Sequence, residues 1–238
     1  MHQLTSAELI EVWERGHEMP PAQRAVALAE AALADEDRPA VVDLPIGDRD
    51  HLLMLMRGRL FGLRVSGQDS CSECGTVLDV SFDLGALAAG HAPARTPVTV
   101  RVGKRALRCR ALTTADLIAA AQADGPDFRA GLLARCVTGT DGQPATDLPA
   151  PAMAKVMSAL SAADPLADVR LAVTCGECGH QWDTTFDIAS FLWAEICAAA
   201  ERLLSDVHVL AMAYGWSENE VLAVGPRRRQ YYLQAVGA

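Results

Sequence analysis

Apolar positions along this chain change period several times, and the changes mark its elements. Residues 5–16 place Leu9, Val12 and Trp13 on one helical face, and Thr5 with Glu8 forms the T-x-x-E capping box that opens a helix. Residues 18–37, "EMPPAQRAVALAEAALADED", predict a second helix with its prolines at the start and Arg24 in its first turns. Residues 43–62 predict a third, with Asp48 or Asp50 as its cap, an apolar face of Leu52, Leu53, Leu55 and Met56, and Gly62 as its end. From residue 63 the period falls to two. The stretch "LRVSGQDSCSECGTVLDVSFDLGAL" reads as strand, cysteine turn, strand and a short helix capped by Asp83.

Residues 90–98 read as a linker, and residues 98–112 as a hairpin turning at Gly103–Lys104. Helices are expected at 113–123, capped by Thr113 or Thr114, at 127–137 and at 152–164, with residues 138–151 as a loop. A strand at 168–173 leads into a second cysteine pair, and residues 180–216 hold a strand and a long helix. Ser217 and Glu220 make another capping box before the last helix. The expected class is helix-rich α+β. It divides into an N-terminal helical region (1–66), a split cysteine ribbon (67–90 plus 170–191), an inserted hairpin-and-helix segment (91–169) and a C-terminal helical region (192–238).

The two cysteine elements form an internal repeat. At an offset of 104 residues, "CSECGTVLDVSFDLGAL" (71–87) lies over "CGECGHQWDTTFDIASF" (175–191), and seven of seventeen positions are identical. Both cysteines, the Glu between them, the following Gly, one Asp and the Phe-Asp pair coincide. A C-x-x-C-G turn points two thiolates at one place, and two such turns complete a closed tetrahedral four-cysteine site, the usual form of structural zinc. Cys71, Cys74, Cys175 and Cys178 are the predicted ligands of a structural Zn2+, so the two hairpins must meet and the hundred residues between them become an insertion. Spacing alone does not separate zinc from iron, although closed four-cysteine ribbons favour zinc. His180 could face the site, but four thiolates satisfy the metal. Neither pair opens a helix after a strand as a thioredoxin-like redox motif does. Cys109, Cys136 and Cys197 are expected as small buried apolar residues.

Composition narrows the function classes. The chain has 238 residues, 50% apolar and 5% aromatic, with a net charge of −9. Nucleic-acid binding needs a basic surface, and this balance argues against it. No apolar run is long enough for a membrane span, and "MHQLTSAELIEVWERG" lacks the order of a signal peptide, so the expected location is cytoplasmic. None of the six histidines sits in a metalloprotease or nucleophile motif, and "VTGTDGQ" lacks the Lys-Ser/Thr ending of a phosphate loop. Asp48, Asp50, Asp164 and Asp168 read as caps and solvated faces rather than acid–base pairs. The expectation is a protein that is not an enzyme. Arg227, Arg228 and Arg229, with Trp216 and Tyr231 nearby, are candidate partner-binding residues, because Arg and aromatic side chains are favoured at interfaces.

"VWERGHEMPPAQRAVAL", "LPIGDRDHLLMLMRGRLFG" and the "CSECG" turn, with "ADPLADVRLAVTCGECGHQWDTTFDIASFLWAEI" and "LLSDVHVLAMAYGWSENEVLAVGPRRRQYYL", resemble the tailed-phage baseplate hub assembly chaperone family and related small proteins of contractile injection-system clusters. The resemblance covers most of the chain. Ser72 and Gly176 stand where Pro more often follows the first Cys of each turn. It implies a non-catalytic assembly chaperone or baseplate component that binds hub or spike subunits and is associated with the injection particle. A zinc-ribbon regulator contacting nucleic acid or polymerase is the alternative, and a metalloenzyme would need an open zinc position.

Overall fold

The computed structural model describes residues 4–33, 40–103, 105–123, 127–139, 142–145 and 148–237. The parts of the predicted second helix, hairpin turn and loop that fall at 34–37, Lys104, 140–141 and 146–147 lie outside the described residues. The helix-rich α+β class is borne out.

The first helix, α1 (Ser6–His17), starts at the predicted capping box, in which Thr5 Oγ1 accepts from Glu8 N and the Glu8 carboxylate accepts from Thr5 N. Next come α2 (Pro21–Ala31) and α3 (Ile46–Phe61), the latter ending at Gly62. A hairpin of β1 (Arg64–Ser70) and β2 (Val77–Asp83) leads to α4 (Leu84–Ala89), and Asp83 Oδ1 caps it by accepting from Gly85 N. The insertion contains β3 (Val98–Val102), β4 (Arg105–Cys109), α5 (Thr114–Gln122), α6 (Phe128–Cys136), β5 (Val137–Gly139) and α7 (Ala150–Ala163). A second hairpin, β6 (Val169–Thr174) with β7 (Gln181–Phe186), feeds α8 (Ile188–Tyr214), and α9 (Glu218–Ala223) and α10 (Pro226–Ala235) close the chain.

Of the two caps offered for the helix at 113–123, Thr113 is used; its Oγ1 accepts from Asp116 N. Several details depart from the pattern: Leu55, expected on the apolar face of the third helix, is exposed, and the Ser217 capping box opens α9, after which α10 forms separately. β5 takes the last residue of the helix expected at 127–137 and the first two of the stretch read as a loop: Val137 and Thr138 pair with Cys109 and Arg108, and three residues are too few for an alternation to show. Neither Asp48 nor Asp50 caps α3, because both lie within it and Pro45 holds the cap position. Instead, Asp164 Oδ2 accepts from Gly47 N at 3.1 Å, from 117 residues away. Asp48 pairs with His91 Nε2 at 3.1 Å, and Asp50 Oδ1 takes both Nε and Nη2 of Arg49. Burial dominates at Asp50 and pushes its carboxyl up to about 6 despite Arg49.

The main core gathers Leu9 and Val12 of α1, Leu28 of α2, Leu53 and Met54 of α3, and Leu192, Ile196 and Ala200 of α8. Both hairpins and the helix starts that follow them bury side chains in it, through Val65, Leu84, Val169 and Ile188. The insertion has its own small core, with Val100, Leu107, Leu133, Val137 and Val156. The outer end of α8 passes beyond the main core, and Leu210 meets Val221 and Leu233 there. One buried cation braces the first hairpin. Arg57 Nε and Nη2 donate to the Glu195 carboxylate at 2.9 and 2.8 Å, and Nη1 donates to the carbonyls of Gly62 and Arg64. These bonds satisfy a charge that burial would otherwise penalise heavily.

The start of α3 seats the insertion. Ile46 N donates to Leu112 O, Arg49 Nη1 donates to Thr114 Oγ1, and Asp164 caps Gly47. A Cβ on Gly47 would collide with the Asp164 carboxylate. In an unconstrained helix Gly→Ala stabilises by up to about 1 kcal/mol. Gly47→Ala is expected to reverse that sign and destabilise by about 1–3 kcal/mol, because the substitution overpacks the contact and displaces the cap. Urea unfolding of the two proteins measures the difference.

Candidate metal centre

The repeat seen in the sequence is also a repeat of backbone. In β1–β2, Val65 pairs with Phe82, and in β6–β7, Val169 pairs with Phe186, at the same offset of 104. In the first turn Cys71 N donates to Thr76 O at 3.0 Å and Gly75 N to Cys71 O at 2.9 Å. In the second, Cys175 N donates to His180 O at 2.8 Å and Gly179 N to Cys175 O at 3.0 Å. Gly75 and Gly179 have φ of 73° and 74°, in the left-handed region where a side chain is strained, so the glycine after each second cysteine closes the turn. Asp187 caps α8 through Ala189 N and Ser190 N, as Asp83 caps α4. Phe82 and Phe186 meet edge to face at 4.9 Å between the two copies.

This pairing brings the four predicted cysteines together. Cys71 Sγ lies 3.6 Å from Cys178 Sγ, Cys74 Sγ lies 3.6 Å from Cys175 Sγ, and all four sulfurs lie within 4.8 Å of one another. Each buried cysteine thus faces the exposed cysteine of the other turn; Cys71 and Cys175 are 2% and 1% exposed. None of the four is in a disulfide. A sulfur pair bonded to one tetrahedral ion, at about 2.3 Å per bond, is separated by about 3.8 Å, close to these contacts and far from the roughly 2.05 Å of a disulfide. The four cysteines can therefore hold a metal ion, and four sulfur donors suit a soft or borderline one.

Protons and a metal compete for these sulfurs. Thr76 Oγ1 lies 3.3 Å from Cys74 Sγ, and hydrogen bonding with the Thr76 side chain and backbone holds the Cys74 thiol below its ordinary pKa, whereas Cys178, despite a bond from the His180 backbone, is pushed up by desolvation and by the other three thiols. Thr76 escaped notice in the sequence because position 180 of the other copy is His. That histidine is not aimed inward as a ligand. His180 Nε2 lies 3.3 Å from Ser72 Oγ of the other turn, and its ring stacks on Trp182. Trp182 Nε1 in turn donates to Asp69 Oδ2 at 3.1 Å, which holds the Asp69 carboxyl below its ordinary pKa. These cross-copy bonds join the hairpins beside the sulfurs.

The candidate partner-binding residues separate into two groups. Arg227 and Arg228 are exposed on α10, and Tyr231 is 70% exposed beside them. Trp216 is half-buried among Tyr214 and Tyr232. Arg229 is turned inward, only 6% exposed, with Nε 3.1 Å from Asp206 Oδ2 and Nη1 3.5 Å from Ser6 Oγ. Its position one helical step from Arg228 puts it on the face against α8, so it fastens α10 and is not free to grip a partner. Cys109 and Cys136 are buried as expected, whereas Cys197 is only half-buried.

No protein-family model, no curated protein and no solved structure matches the chain. No described helix is long and apolar enough to cross a membrane.

Cys74→Ser and Cys178→Ser are each expected to abolish metal binding and to be less stable than the metal-loaded parent by more than about 3 kcal/mol. The double variant is expected to cost little more than either single one, because all three lose the same ion. Elemental analysis alongside thermal melts checks both statements, with Cys197→Ser as a variant that keeps the metal.

Proposed function

We propose that this chain is a non-catalytic scaffold protein in which a structural zinc ion closes a split ribbon. In this reading it acts by binding protein subunits during assembly of a contractile injection-system baseplate. The observation that carries the metal part is the meeting of four sulfurs from two copies of one turn, 104 residues apart. The ligand set is complete without water or substrate, which is the form of a structural rather than a catalytic zinc site. The ion would be held by Cys71, Cys74, Cys175 and Cys178 and would supply cross-linking alone.

The assembly role rests on the resemblance to baseplate hub chaperones. It is supported by the exposed aromatic and cationic end of the molecule, where Tyr231 lies one turn from Arg227 and beside Arg228. Tyr and Arg are the residues that most often anchor protein interfaces. Inward use of Arg229 weakens the regulator reading, since the basic run that supported it shrinks to two residues.

Two measurements test these parts separately. Cobalt(II) substitution is expected to give the absorption of a tetrahedral thiolate complex that does not change when azide or thiocyanate is added; a ligand-dependent spectrum would reveal an open position and contradict the structural role. Affinity capture from the native host after nuclease treatment is expected to recover hub or spike subunits, with the yield reduced for Arg227→Ala/Tyr231→Ala. Recovery of polymerase subunits instead would favour the regulator.

A further inference from the structure

Residues 91–169 carry nine Lys and Arg against seven Asp, a local charge of +2 in a chain of net −9. The basic residues of the hairpin are concentrated on one face of its sheet. Arg108 and Arg110 are two apart along β4 and its extension, so they point the same way. Thr138 of β5 stands opposite Arg108 in the register, and Arg101 lies diagonally across, since Thr99 pairs with Arg108 and Arg101 with Ala106. Arg135, at the end of α6, closes the same space. Pro97, Arg108, Arg110, Arg135, Cys136 and Thr138 line a cavity of about 270 Å³.

The charges in this cavity are unequally neutralised. Arg110 is held by Asp116, with Nη1–Oδ2 of 2.6 Å and Nη2–Oδ1 of 2.7 Å. Asp116 also accepts from the Thr113 backbone and hydroxyl, so its charge is fully committed. Among the described residues, no ion pair engages Arg108 or Arg135. Arg108 and Arg135, both exposed and without an ion pair among the described residues, therefore share a small concavity with a third guanidinium that is locked in place, beside the Thr138 hydroxyl, which donates to Arg108 O at 3.5 Å.

We propose that this cavity is a binding site for a compact phosphate group, either inorganic phosphate or the phosphate of a small metabolite. Planar guanidinium forks match phosphate oxygens in pairs, and several such groups at different angles suit a tetrahedral dianion better than a planar carboxylate. No aromatic side chain lines the cavity, so it lacks the stacking platform that single-stranded nucleic acid uses. The site lies in the insertion and depends neither on the metal centre nor on the assembly reading.

The test uses the full, metal-loaded chain after nuclease treatment. Thermal stability and calorimetric titration are followed with inorganic phosphate, with pyrophosphate and with chloride at matched ionic strength. Saturable stabilisation by phosphate or pyrophosphate, absent with chloride, is expected. A pyrophosphate preference of tenfold or more would assign the site to a phosphorylated metabolite, and equal affinity to free phosphate. Arg108→Gln/Arg135→Gln is expected to weaken binding at least tenfold, Arg108→Lys to weaken it less, and Arg227→Gln/Arg228→Gln to leave it unchanged. Arg108→Lys and Thr138→Val supply the comparison should the double variant not fold. The proposal is overturned if no saturable effect appears, if the pocket variants bind as the parent does, or if an oligonucleotide binds and phosphate does not displace it.

Discussion

Two short turns, 104 residues apart in the chain, must be held with their sulfurs in contact. Closing a loop of that length costs entropy, and thiols packed against one another repel as they ionise. Packing offsets part of this cost, since Phe82 meets Phe186 and Trp182 bonds to Asp69. A structural zinc can contribute on the order of 10 kcal/mol, comparable with the whole stability of a domain. An ion at this point would also fix the directions in which α4 and α8 leave their hairpins, because the Asp caps follow directly from β2 and β7. Leu84 and Ile188 at those helix starts are among the most buried residues of the main core. The proposed metal and the core are in this way consecutive links of one chain of contacts.

A second closure operates at the other side of the fold. The insertion leaves and returns near the start of α3, where Asp164 caps Gly47 and Arg49 reaches Thr114. The cap is a carboxylate that burial pushes above its ordinary pKa, partly countered by the Gly47 N–H. The insertion thus has its own core yet is registered on the main one by buried polar groups, whose geometry specifies a fit more narrowly than apolar contact does.

Legibility in the sequence followed the range of the interactions. The capping boxes at Thr5 and Ser217 and the Asp83 cap were readable because donor and acceptor lie within three residues. The four cysteines were readable because the repeat supplied a long-range relation directly. The cap of α3 was not, since its acceptor is 117 residues away and the nearby Asp48 and Asp50 imitate one. Thr76, Ser72 and Trp182 were missed for a related reason: the two copies differ at those positions, so the repeat that exposed the ligands hid the residues that brace them. Arg229 looked like its exposed neighbours in a basic run, and only the packing of α10 on α8 reveals that it faces Asp206.

The most direct test of the metal centre is native mass spectrometry of the purified chain, combined with X-ray absorption at the edge of the bound metal. The account predicts one zinc ion per chain with four sulfur neighbours at about 2.3 Å. A chain that carries no metal when expressed in zinc-replete cells, or a metal with fewer than four sulfur ligands, would contradict it.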